Sequence, residues 1–112
     1  MRVVHDENGE TLASDVETAD SFLSRARGLM FRRSVPSDYA LVFEFDGAAE
    51  RDVHMVFVPF DLDVLWVENG EVQRVETLSS WTGLASARAD RLVELPAGAA
   101  ADVRVGDTVR VE

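Results

Sequence analysis

The 112 residues suffice for one domain, and 46% hydrophobic with 29% charged residues is the composition of a chain that folds rather than one that stays disordered. Twenty-one Asp and Glu stand against 11 basic residues, all Arg, for a formal net charge of −10, with no Lys, Cys or Ile. This excludes the basic stripe that nucleic acid or an anionic membrane requires, and it excludes disulfides, thiolate metal sites and cysteine nucleophiles.

In chain order, "RVVH" and "ETLASDV" flank "DENG", whose Asn8–Gly9 pair suits a tight hairpin turn. "DSFLSRARGLMF" (20–31) then spaces Phe22, Leu23, Ala26, Leu29 and Met30 on one face, and the spacing predicts an amphipathic helix capped by Asp20 or Ser21. "YALVFEF", stopping at Asp46–Gly47, and "RDVHMVFV" alternate as two strands. "LDVLWV" and "EVQRVETL" flank Asn69–Gly70, the clearest hairpin in the chain, and "RLVEL" and "DTVRVE" complete the set. The expected fold is mainly β: a compact sandwich or barrel of about eight short strands with one N-terminal amphipathic helix, forming a single domain over 1–112. No stretch approaches the roughly 20 apolar residues of a membrane span. A soluble, cytoplasmic monomer is expected, and the acidic, lysine-free composition resembles that of proteins from salt-accumulating halophiles, where molar salt screens self-repulsion.

"GLMFR" (28–32), "ALVFEF" (40–45), "PFDLDVLWVENGEV" (59–72), "LVELPAG" (92–98) and "VGD" (105–107) occur in the order and spacing of the domain of unknown function 192 family, which the chain resembles over about 18–111. The resemblance implies a small, mainly β fold with no established biochemical activity. Members typically read Phe-Trp-Met-Lys-Asn-Thr before the proline, whereas this chain reads "VHMVFV" (53–58), with His54 at the tryptophan position. Arg32, Asp63, Glu94, Gly98, Gly106 and Asp107 are the family-typical positions that survive.

Six residues are candidates for binding: Arg32, Tyr39, His54, Asp63, Trp81 and Glu94. Arg32 can fork onto a ligand anion or close a structural network with Asp63 or Glu94, and as part of such a buried network its loss would cost roughly 3 kcal/mol or more. Arg25, Arg27 and Arg33 read as solvated surface. Asp61 and Asp63 share a face if both lie on a strand, but Asp61 reads better as a turn residue after Pro59. His54 with carboxylates from 61, 63 or 94 could make a metal site, yet no histidine spacing supports one and no cofactor is expected. Glu94 alternates with Val93 and Leu95, on the opposite side of its strand, and Trp81 in "LSSWTGLA" is the aromatic expected to be accessible. Neither a nucleophile elbow nor a phosphate-cradling glycine loop is present. The leading reading is a noncatalytic domain that binds a small ligand or a protein. The alternative is a hydrolase using Asp63 and Glu94, with or without metal, which requires the two to converge in one pocket.

Overall fold

The computed structural model describes residues 1–19 and 28–112. Eight strands account for most of them: β1 (Val3–His5), β2 (Glu10–Ala13), β3 (Asp15–Ala19), β4 (Tyr39–His54), β5 (Leu62–Glu68), β6 (Glu71–Leu78), β7 (Leu84–Pro96) and β8 (Val109–Val111). They form a five-stranded sheet in the order β3-β4-β7-β5-β6 and a three-stranded sheet in the order β2-β1-β8. All pairs are antiparallel except β3 with β4.

The larger sheet is covered on both faces, which is why β5 is buried from Leu62 to Val67 without a polar side to its alternation. One core cluster, including Val42, Leu65, Val67, Val93 and Leu95, packs against Val3, Leu12 and Val109 of the small sheet. The other, including Leu41, Phe43, Leu62, Val64 and Leu92, packs against Leu29, Met55 and Val58 from the loops. Trp66 is fully buried in this second cluster and its indole N–H donates to the Arg51 carbonyl at 2.9 Å, so its one polar atom is satisfied.

Backbone connections and hydrogen bonds join the sheets. The backbone passes from β2 to β3 through Ser14 alone, and Glu71 bridges to Thr108 beside hydrogen bonds from Val72 N to Asp107 O and from Val109 N to Gly70 O. The β5–β6 hairpin turns at Asn69–Gly70 with φ of 51° and 81°, the left-handed pair that a type I′ turn demands.

Three expectations need correction. First, no helix occurs among the described residues. Residues 20–27 of the expected helix, with Arg25 and Arg27, lie outside them; its remainder, 28–31, is a turn in which Gly28 (φ 53°) and Phe31 (φ 70°) are left-handed, a conformation no right-handed helix can contain. Second, "ETLASDV" is not one strand, because it changes sheets at Ser14. Third, the two strands expected on either side of Asp46–Gly47 are one, β4, paired with β7 over Leu41–Glu44 and again over Ala49–His54. Its register jumps from Glu44↔Arg91 to Ala49↔Ala89, so the turn-forming residues bulge out instead of ending the strand. Arg51 clasps that bulge, donating to Gly47 O at 2.7 Å and Ala89 O at 3.2 Å with its guanidinium 3.8 Å from the Phe45 ring centroid. β4 then ends at His54: Met55–Val58 is a turn, with Phe57 at φ 60°.

Candidate functional site

Glu94 lies near the middle of the five-stranded sheet, opposite Leu41 on β4 and Val64 on β5. Alternation puts it on the face away from Val93 and Leu95, which in a sheet with one solvated side would be the wet face. Here that face carries the second core cluster, so the side chain is only 6% exposed. Among the described residues nothing donates a hydrogen bond to its carboxylate or pairs with it, and burial pushes its pKa up to about 7.

The carboxylate opens onto a cleft of about 390 Å³, near the small end of the roughly 300–1,000 Å³ range of small-molecule sites. Leu29, Met30, Phe43, Val58, Leu62 and Leu92 form apolar walls. Glu50, Arg51, Asp52 and His54, all from the far half of β4, supply its charged and polar lining. Gly28 leaves the space in front of the acid open: a Cβ there would stand 3.5 Å from the tip of the Phe43 ring and 3.9 Å from Glu94 Oε1.

The other sequence candidates do not gather here as a set. Arg32 reaches neither Asp63 nor Glu94. The left-handed turn at Phe31 carries it to β3, where Nη1 and Nη2 donate to both oxygens of Glu17 at 3.3 and 3.2 Å. That pair is half in solvent, with side-chain exposures of 35% and 51%. Each partner steadies the other's charge, holding the Glu17 carboxyl below its ordinary pKa and Arg32 above its own. The Arg32 guanidinium also lies 5.4 Å from the centroid of Tyr39, which is buried. Burial raises the Tyr39 pKa, with the nearby Arg32 guanidinium opposing the rise and Glu17 adding to it.

Asp63 is buried on the opposite face of the sheet from Glu94, and its oxygens are fully engaged. Thr77 Oγ1 donates at 2.7 Å, Gly98 N at 3.0 Å and Ala100 N at 2.9 Å, so the residue clamps the loop after β7. Asp61 is exposed and accepts from Ser80 N at 2.8 Å, so the two acids do not form a pair. His54 is exposed at the cleft, and its Nδ1 accepts from Val56 N at 3.3 Å. Trp81 is 54% exposed.

Two groupings had no signal in local spacing. Phe31, Phe57 and Trp81, from three loops, are all exposed and all left-handed (φ 70°, 60° and 67°); the first two rings stack at 4.9 Å and the Trp81 ring meets Phe57 edge-on at 6.4 Å. Backbone bonds from Phe31 N to Phe57 O and from Trp81 N to Val58 O hold the loops in that arrangement. The φ of a residue after a turn cannot be read from residue type when the type is aromatic. The second grouping joins the chain ends, where buried His5 donates from Nε2 to Asp107 Oδ2 at 2.7 Å and Glu7 comes within 3.8 Å. Glu7 and Asp107 also accept Thr108 N and Arg104 N, which marks the cluster as a turn clamp; the Arg104 N–H and His5 hold the Asp107 carboxyl below its usual range.

Comparison with known proteins places the chain. The family model of DUF192, described as "Uncharacterized ACR, COG1430", matches residues 3–111. UPF0127 protein PH1112 of Pyrococcus horikoshii is 31% identical over 114 residues, covering 96% of each chain. A UPF0127 protein of Thermococcus gammatolerans is 30% identical over 113 residues, 96% of this chain and 72% of its own. UPF0127 protein TK1120 of Thermococcus kodakarensis is 30% identical over 80 residues, and there the match spans only 51% of the relative's length. Among solved structures, one from Sinorhizobium meliloti 1021, described as a candidate transcription regulator, superposes with a TM-score of 0.83 at 24% identity over 97% of this chain and 89% of that one. A protein of unknown function from Novosphingobium aromaticivorans gives 0.77 at 19% identity over 99% and 93%. At such identities the likeness is one of fold. The strand architecture and the match along nearly its whole length make this chain a member of the DUF192 family.

Proposed function

We propose that the chain is a noncatalytic binding domain whose site is the cleft over Glu94. The observation that carries this reading is a buried carboxyl with no partner among the described residues, facing an open, mostly apolar cavity. Burying such a group without a partner costs stability, and a group kept at a cost where a small molecule fits is best explained by what it holds. Geometry favours binding over the hydrolase alternative, because Asp63 lies on the other side of the sheet with three donors on its carboxylate. The transcription-regulator description belongs to a structure that shares the fold. For this chain, a net charge of −10 opposes binding to a phosphate backbone.

The test is a thermal-shift screen of wild type and Glu94→Gln against small molecules of matched size and differing charge, with protein at constant salt. A compound that raises the Tm of wild type and not of the variant supports the reading. Equal shifts in both proteins across the panel overturn it.

A further inference from the structure

We propose that the cleft over Glu94 takes a small hydrophobic ammonium: an apolar body of cleft size carrying one protonated amine that meets the Glu94 carboxylate. This rests on the cleft being a ligand site, as set out above, and adds the ligand's charge and shape.

Three features point to a cation. At the floor, Glu94 is an acceptor without a donor among the described residues, and Gly28 leaves room for a ligand atom between the Glu94 carboxylate and the Phe43 ring. An ammonium placed there would pair with the acid and lie beside an aromatic ring, the two surroundings that favour a desolvated cation. At the rim, Glu50 and Asp52 are exposed acids that form no ion pair among the described residues. The single arginine of the lining, Arg51, is already committed to two carbonyls and the Phe45 ring, so no cation of the described lining is available to an anionic ligand. Over the whole molecule the acidic excess draws cations toward such a cleft.

The apolar part follows from the walls. Leu29, Met30, Val53, Val58, Leu62 and Leu92 offer no hydrogen bonds from their side chains, so a polyamine or a sugar would lose its hydration there without replacement. A molecule with a single charged end and a hydrocarbon or aromatic remainder fits both regions at once. Among the described residues, Glu94, Glu50, Asp52, Arg51 and His54 are the titratable groups that face the cleft; the loop at 28–30, Val58 and Leu62 add none.

The experiment is calorimetric titration of the full chain with benzylammonium, benzyl alcohol and benzoate, which share a body and differ in charge. Benzylammonium is expected to bind at pH 8, with affinity at least tenfold above the alcohol and no detectable binding of benzoate. Glu94→Gln is expected to lose at least tenfold for the amine. In wild type the amine's affinity is expected to rise about tenfold between pH 6 and pH 8, as Glu94 loses its proton through about 7. That arm needs no variant to fold.

If the alcohol or benzoate binds as well as the amine, and the binding is lost in Gly28→Ala, the cation assignment is overturned while the cleft stands as a site. If none of the three binds wild type at millimolar concentration, both the assignment and the binding reading fall.

Discussion

Asp63 on β5 and Glu94 on β7 are neighbours one residue out of register: Val64 faces Glu94 and Asp63 faces Leu95. That offset places two buried carboxyls on opposite faces of one sheet, one with three donors and the other with none among the described residues. Their energetics therefore diverge, and each can be measured alone.

Removing Asp63 strands a hydroxyl and two backbone N–H groups in or beside the core. Asp63→Ala is expected to destabilise the protein by about 3–5 kcal/mol in urea or guanidinium unfolding, with Asp63→Asn costing less because its amide oxygen still accepts. A loss below about 1 kcal/mol would show that the loop after β7 holds itself.

Glu94 has the opposite sign. Its pKa stands near the ordinary value of 4.5 in the unfolded chain and about 7 when folded, so the folded state binds the extra proton between those values. The corresponding stability is fully present below about pH 4.5 and lost as pH rises through about 7, a change on the order of 3 kcal/mol. Glu94→Gln has no proton to lose. Compared with wild type across pH 4.5–8, which cancels every other titrating group, the variant is expected to gain steadily with pH, reaching about 3 kcal/mol at the top. A constant difference between the two curves would refute the burial argument.

The Arg32–Glu17 pair is bidentate but half exposed, so solvent screens it. Arg32→Ala is expected to cost at most about 1 kcal/mol, and a double-mutant cycle with Glu17→Ala should give a coupling that shrinks as salt is added. A cost of 3 kcal/mol or more would restore the buried network with Asp63 or Glu94 that the family-typical charged residues suggest.

We propose that the acidic surface is an adaptation to high salt. With 21 acidic residues against 11 arginines, the melting temperature is expected to climb from 0.1 to 3 M KCl as self-repulsion is screened. A flat curve would separate the charge from any such environment.

Much of the fold was legible because its signals are local. The Asn69–Gly70 turn and the strand on each side of it follow from residue type and alternation over a few positions. The long β4 was not, because Asp46–Gly47 is chemically a turn and only the unbroken partner β7 keeps the strand going past it. Glu94 is singled out by motif and set opposite Val93 and Leu95 by alternation, but its burial is not legible: alternation says which residues oppose each other, never whether the second face meets water or another core. Arg32 was read as inward-facing for want of the left-handed turn at Phe31, which no property of phenylalanine announces. The clamp of His5, Glu7 and Asp107 links residues about a hundred positions apart, beyond the reach of any spacing argument.

The pairing of Val3 with Val111 sets an order of events during synthesis. The large sheet, built from residues 15 to 96, has all its partners once β7 has emerged from the ribosome, whereas β1, paired with β2, has a free edge until β8 is made. Until then the inner face of the large sheet, with Val42, Leu65 and Val93, is without its Val109 cover, and a nascent chain stalled short of Val109 would leave that apolar surface and the β1 edge open to chaperones and proteases.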